Sequence, residues 1–202
     1  MPRPPRTAPP GVPLHIVQRG NNKQSCFLEL SDYAAYVRAL MKSSERYSVD
    51  IHAYALMTNH VHLLATPCEK MSASRMMQQL GREYVQKFNH AHGRTGTLWG
   101  GRYKASPIMT DRYVLACYRY IELNPVNAGM TDSPGLYKWS SYKTNALGMP
   151  NSLVRPHRSW LGLGNSDNDR RIAYRRLFSY GNTVHEDTQI RAAYRKGRCL
   201  NE

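Results

Sequence analysis

From Leu14 to Arg19 the chain is mostly apolar and short, which predicts a strand. Gly20-Asn21-Asn22-Lys23-Gln24 follows as a turn, and Ser25 to Leu28 can pair back on the first strand. The period then changes. Tyr33, Tyr36, Val37, Leu40, Met41 and Ser44 return every three or four residues, predicting a helix capped by Ser31 and running to about Tyr47. Two apolar runs follow, Asp50 to Met57 and His60 to Thr66, with only Thr58-Asn59 between them. That spacing predicts an antiparallel hairpin at the centre of a sheet. Met76, Leu80, Tyr84 and Phe88, flanked by Met77 and Val85, form a second helical row begun by Ser72 or Ser74 and ended by the basic loop His90 to Gly96. The second half of Leu98 to Ile108 reads as a strand. Thr110 caps a third helix, expected to end at Asn124 because Pro125 disfavours helix in the residue before it.

The order is strand, helix, strand, strand, helix, strand, helix. It predicts an α+β fold: an antiparallel sheet with packed helices in the ferredoxin-like, or split βαβ, arrangement. Past about residue 150 the sequence turns polar, with short basic helices expected at Asp169 to Tyr180 and Glu186 to Lys196. The organisation read from this is a flexible Pro/Arg-rich arm over 1–12, a main domain over 13–150 and a basic, partly helical extension over 151–202. No internal repeat is visible.

Charge narrows the function. Among 202 residues, 28 Lys and Arg face 14 Asp and Glu, a formal net charge of +14. Such a balance favours a polyanion: nucleic acid first, an acidic membrane surface second. No run approaches the roughly 20 apolar residues of a membrane span. The N-terminal Met1-Pro2-Arg3-Pro4-Pro5-Arg6 carries no apolar segment of a secretory signal. Cys26, Cys68, Cys117 and Cys199 are scattered, which argues against a zinc ribbon or a disulfide framework and for a reducing cytoplasm.

Candidate chemistry sits on two elements. On a strand, His60 and His62 share one face while Val61 and Leu63 turn to the other, so the imidazoles form a compact two-nitrogen platform for a metal. A single histidine on an apolar strand is usually a packed or surface residue, and the pair alone is only moderately specific. On the third helix Tyr120 and Asn124 are four apart and share a face. Tyr120 alone is one of 14 tyrosines, and with Tyr113, Cys117 and Asn124 it can equally be a packing stripe. Together the four residues say more. A divalent cation on His60 and His62, with the Asn124 amide oxygen as third ligand, would polarise a phosphodiester for attack by Tyr120. The phosphotyrosine product conserves the bond energy and can be reversed by a DNA 3′-OH.

At these residues the chain resembles the single-tyrosine HUH transposases, and within them the REP-associated tyrosine transposases. His60-Val61-His62 is similar to the His-hydrophobic-His motif and Tyr120-Ile121-Glu122-Leu123-Asn124-Pro125 to the nucleophile helix. The likeness extends to Val17-Gln18-Arg19-Gly20-Asn21-Asn22, Leu56-Met57-Thr58-Asn59, Gly96-Thr97-Leu98-Trp99, Gly101-Arg102-Tyr103-Lys104 and Trp139-Ser140-Ser141-Tyr142, over roughly residues 10–150. It implies a ferredoxin-like fold of the HUH endonuclease type and dependence on Mg²⁺ or Mn²⁺. It also implies cleavage of single-stranded DNA beside an imperfect palindromic REP-type hairpin, through a 5′-phosphotyrosine at Tyr120. His60 and His62 would be metal ligands and Asn124 the third. A monomer is expected, a dimer being the alternative, in the cytoplasm with the nucleoid. Two positions depart from the pattern: Gly100 where the family has Glu, and Asn127 where it often has Arg.

The DNA is expected along Arg19, Asn21, Asn22 and Lys23 at the first turn and along Arg102 and Lys104, with Trp99 stacking on an unpaired base. For any one basic residue a solvated surface charge is as good a reading. Two rivals remain open. One is a non-catalytic nucleic-acid-binding regulator on the same sheet. The other is a metal-dependent phosphodiesterase that uses water and leaves Tyr120 structural.

Overall fold

The computed structural model describes residues 9–201. Most of the Pro/Arg arm expected over 1–12 therefore lies outside the described residues. The elements are β1 (Leu14–Arg19), a 3-10 turn (Asn21–Lys23), α1 (Leu30–Arg46), β2 (Val49–Met57), β3 (His60–Pro67), α2 (Ser72–Ala91), β4 (Lys104–Pro107) and α3 (Asp111–Asn127). They are followed by α4 (Tyr142–Leu147), α5 (Arg158–Leu161), α6 (Asp167–Tyr180) and α7 (Val184–Lys196). No helix among the described residues is long and apolar enough to cross a membrane.

The four strands form one antiparallel sheet in the order β2-β3-β1-β4. β1 thus sits between β3 and β4, the split βαβ order that the alternation of elements predicts. The β2–β3 hairpin closes on Thr58-Asn59, with Met57 paired to His60, but it does not lie at the sheet centre as expected: β2 is an edge strand, and β3 and β1 are the central pair. Because side chains alternate along a strand, the sheet has two different faces. One buries Leu14, Ile16, Ile51, Tyr54, Leu56, Val61, Leu63 and Ala65 against Tyr36 and Leu40 of α1 and Met76, Leu80, Tyr84 and Phe88 of α2. The other carries Ala53, Ala55, Met57 and Leu64 against Tyr113, Val114, Cys117, Tyr118, Tyr120 and Ile121 of α3. That second core is completed by Tyr174, Ile190, Ala193 and Leu200. The polar-looking tail therefore supplies buried wall to the face that carries the histidines.

Four local expectations are corrected. Ser25 to Leu28 forms no strand: Cys26 N–H donates to Thr58 O, and Phe27 packs between Tyr33 and Tyr36. The α1 cap is Glu29 rather than Ser31, because Glu29 and Asp32 close a reciprocal capping box. Ser72 is the first helical residue of α2, preceded by Met71 in the left-handed region without a side-chain cap. Most relevant to the site, α3 does not stop at Asn124 but runs through Pro125 to Asn127. Proline has no N–H, so the bond to Ile121 O is forfeited while the helix continues. Ala128 N–H to Asn124 O and Met130 N–H to Pro125 O then close the end.

Candidate active site

β1 and β3 carry the first half of the site. Their register sets Val17 opposite His62 and Arg19 opposite His60, and places His15, two residues before Val17, on the same face. The His60 and His62 ring centroids are 4.9 Å apart. His62 is buried and His60 half-buried. Burial, and then the Arg19 charge, pushes the His60 imidazole down to about 4. Burial followed by His15 and His60 holds His62 well below its ordinary value. Both rings are therefore neutral near pH 7, the form that coordinates a metal. His60 Nδ1 lies 2.7 Å from Asn59 Oδ1, so it carries the proton and leaves Nε2 as the lone pair.

α3 brings the second half. Packing of its apolar stripe on β2 and β3 sets the Tyr120 ring 5.7 Å from His62 and 5.6 Å from His15. Tyr120 is only 4 % exposed. α7 covers it: Tyr194 stands 5.3 Å from His15 and 6.1 Å from His62, and the Arg191 guanidinium lies 6.0 Å from the Tyr120 ring centre. Burial, with Tyr194 adding to it, pushes the Tyr120 phenol above its ordinary value, while a hydrogen bond and the positive charge of Arg191 pull it down. Asn124, one turn on, donates its Nδ2 to Tyr120 O at 2.6 Å, which leaves Oδ1 as the atom of its side chain that could coordinate a cation.

His60, His62 and Asn124 offer donor atoms of the kinds that divalent cations take. Two neutral imidazole nitrogens and one amide oxygen form a mixed set that suits Mn²⁺ better than the all-oxygen preference of Mg²⁺. No group of three or more His, Cys, Asp or Glu side chains placed to hold a metal occurs among the described residues.

A cleft of about 430 Å³ opens beside His60. Its walls include Arg19, Asn21, Asn22, Lys23, Arg102 and Lys104, six of the seven residues expected along DNA, together with Gly100, Tyr194 and Arg195. The chain reaches this shape because Gly100 N–H donates to Arg19 O and Asn21 N–H to Leu98 O, zipping the loop before β4 onto the first turn. Trp99 is placed otherwise. It is 6 % exposed, packs against Tyr36 and Tyr84 in the first core, and is not part of the wall of this cleft. Asn127 is exposed at the end of α3.

Four site residues escaped the sequence reading: His15, Asn59, Arg191 and Tyr194. His15 is a polar residue in an apolar strand, and Arg191 and Tyr194 are three apart on a basic helix. Those weak signals gain meaning only from the strand register and the fold-back of α7.

Comparison with known proteins fits this geometry. The family model described as IS200-like transposase matches residues 11–124, a span that includes His60, His62, Tyr120 and Asn124. Among solved structures, the chain is similar in fold to a REP-associated tyrosine transposase bound to a REP hairpin. The identity is 21 %, the match covers 78 % of this chain and 93 % of that one, and the TM-score is 0.60. No curated protein matches the chain.

Proposed function

The chain belongs to the IS200-like transposase family, and from that membership we propose that it cuts and rejoins single-stranded DNA beside REP-type hairpins through a 5′-phosphotyrosine at Tyr120. The observation that carries this reading is the approach of Tyr120 to the paired histidines, 5.7 Å between rings, beside a basic cleft that opens at His60. His60, His62 and Asn124 would hold Mn²⁺ or Mg²⁺. When bound, the cation supplies Lewis-acid stabilisation of charge on the phosphate.

In the cutting step the Tyr120 phenol gives up its proton to solvent and its oxygen attacks phosphorus. The bond to the 3′ oxygen breaks, and that oxygen leaves as a 3′-OH after taking up a proton. In the joining step a DNA 3′-OH attacks the phosphotyrosine and the phenol is restored, so the number of phosphodiester bonds is conserved. The Arg191 charge opposes the effect of burial on Tyr120 and favours the phenolate. Arg19, Asn21, Asn22, Lys23, Arg102 and Lys104 would hold the strand in the cleft. We read residues 13–150 as the catalytic domain and 151–202 as the extension that covers Tyr120, and we expect a monomer.

The test is covalent trapping. Wild type and Tyr120→Phe are incubated with labelled single-stranded hairpin DNA and Mn²⁺, then run on a denaturing gel. A slow-migrating protein–DNA band in wild type that is absent from the variant is the expected result. Cut DNA without adduct, unchanged in the variant, would replace this reading with hydrolysis by water. Binding with neither cut nor adduct would leave a regulator.

A further inference from the structure

His15 lies on the histidine face of the sheet and is fully buried. Its ring stacks on His62, with centroids 5.1 Å apart and planes 16° from parallel. The contact is specific: His15 Nε2 and His62 Nδ1 are 2.9 Å apart, a hydrogen bond between two imidazoles. Both rings are buried, and at that separation one proton lies between the two nitrogens.

That proton has two possible owners. If His15 donates from Nε2, then His62 accepts at Nδ1 and must carry its own proton on Nε2. Such a His62 has no lone pair to offer a metal. If His62 donates from Nδ1, its Nε2 lone pair is open. His60 provides a precedent two residues away. Its Nδ1 is held by Asn59 Oδ1, and the Asn59 amide is oriented by a bond from Nδ2 to Lys23 O. His60 is therefore the Nδ1–H tautomer. In the second arrangement the two imidazoles of the pair share one polarity, each with Nδ1 spent on a partner and Nε2 left over.

The far side of His15 fits this arrangement. His15 Nδ1 has no hydrogen-bond partner among the described residues. The Tyr120 and Tyr194 rings pack T-shaped against the His15 ring at 5.6 and 5.3 Å. An N–H is tolerated better than a lone pair among π systems.

We propose that His15 is a positioning residue for His62: it accepts the His62 Nδ1 proton and so keeps the His62 Nε2 lone pair for the divalent cation. The inference rests on the reading of His60 and His62 as metal ligands. Outer-shell partners of metal-bound histidines set the tautomer and ring orientation, and their loss typically weakens metal binding about 10–100-fold. His15 differs from the usual carboxylate or carbonyl partner in being an imidazole, which accepts at Nε2 when its own proton sits on Nδ1.

The test has two readouts. Long-range ¹⁵N–¹H spectra of the metal-free full-length protein report the His62 tautomer directly, and titration with Mn²⁺ alone, followed by electron paramagnetic resonance, reports affinity. His15→Phe keeps a ring in the stack and removes the acceptor, while His15→Gln restores an acceptor oxygen. The expected results are an Nδ1–H tautomer at His62 in wild type and its partial conversion to Nε2–H in His15→Phe. Mn²⁺ binding should weaken about 10–100-fold in His15→Phe and recover substantially in His15→Gln. An Nε2–H tautomer in wild type, or wild-type Mn²⁺ affinity in a folded His15→Phe, would overturn the proposal. Wild-type Mn²⁺ binding indifferent to His62→Ala would instead overturn the ligand reading beneath it. The two failures are distinct because the tautomer is read without metal.

Discussion

Asn124 turns its side-chain amide back along α3 and donates it to the backbone carbonyl of Tyr120 at 2.6 Å. One residue thus ties the proposed nucleophile to the proposed metal: its nitrogen is spent on the Tyr120 turn and its oxygen is left to coordinate. Asn124→Ala is expected to weaken Mn²⁺ binding and slow cleavage by on the order of tenfold or more. Asn124→Asp, which keeps a coordinating oxygen, should retain most of the affinity. Calorimetric Mn²⁺ titration checks this, and equal affinity in wild type and Asn124→Ala would remove Asn124 from the ligand set.

The Arg191 guanidinium, 6.0 Å from the Tyr120 ring centre, works against the burial that keeps the phenol protonated. Cleavage should accelerate as pH rises, since the phenolate is the attacking form. Arg191→Gln is expected to be about tenfold slower near neutrality, equivalent to about 1.4 kcal/mol of barrier, and to approach wild type at high pH. Single-turnover adduct formation against pH decides it. A variant profile parallel to wild type at every pH would show that the guanidinium does not act on Tyr120.

Glu122 sits two residues past Tyr120 on the opposite side of α3, wholly buried. It accepts hydrogen bonds from Ser141 Oγ at 2.5 Å, Asn145 Nδ2 at 2.8 Å and Tyr174 Oη at 2.7 Å. Burial pushes its carboxyl up from 4.5 to about 7 despite these donors. A carboxyl raised on folding contributes stability that is fully present below the unfolded value and lost as pH rises through the folded one. Glu122→Gln cannot ionise. Its melting temperature relative to wild type should therefore climb between pH 4.5 and 7, by no more than the equivalent of about 3 kcal/mol. His157, depressed to about 4 by burial, has the opposite slope. It contributes stability above pH 6.5 that is lost as pH falls toward 4, and it cancels when the two proteins are compared. A pH-independent difference would mean that Glu122 does not titrate in this range.

In the cleft, Arg19, Arg102 and Lys104 are exposed around one groove. Replacing any one by Ala should weaken single-stranded DNA binding without regard to sequence. The slope of log affinity against log salt should fall by about 0.7 for each phosphate that the protein no longer neutralises. Fluorescence anisotropy at several salt concentrations measures it, and an unchanged slope would return that residue to the solvated surface.

Two glycines of the cleft differ in what they permit. A Cβ on Gly20 would stand 2.2 Å from Gln24 O, although its φ of −57° is ordinary, so the turn needs close approach rather than a special dihedral. A Cβ on Gly100 meets nothing nearer than Gly20 O at 3.4 Å. Gly20→Ala should destabilise by about 1–3 kcal/mol, as overpacking does. Gly100→Glu should melt near wild type and raise Mn²⁺-dependent cleavage, by placing a carboxylate on the wall of the cleft that His60 also lines. No gain in cleavage would show that the missing carboxylate is not limiting.

Both halves of the site were legible because each depends on short-range periodicity. The interval of two between His60 and His62 on a strand, and of four between Tyr120 and Asn124 on a helix, orients side chains whatever surrounds them. No such rule placed Trp99. Its aromatic face could have lain in the cleft or in the core, and only the packing of Tyr36 and Tyr84 places it in the core. At Pro125 the rule against helix in the residue before proline did not hold: α3 runs on to Asn127 with Pro125 itself buried.

Strand and helix order, the faces of each element and the positive charge follow from the sequence by itself, because they are local or additive properties. The tertiary structure decided which elements share the site. The antiparallel register of β1 on β3 sets His15 against His62. The return of α7 over the sheet lays Arg191 and Tyr194 on Tyr120 from more than 70 residues away. Neither contact has a signature in the sequence, since each arises from burial of apolar surface that the whole chain shares.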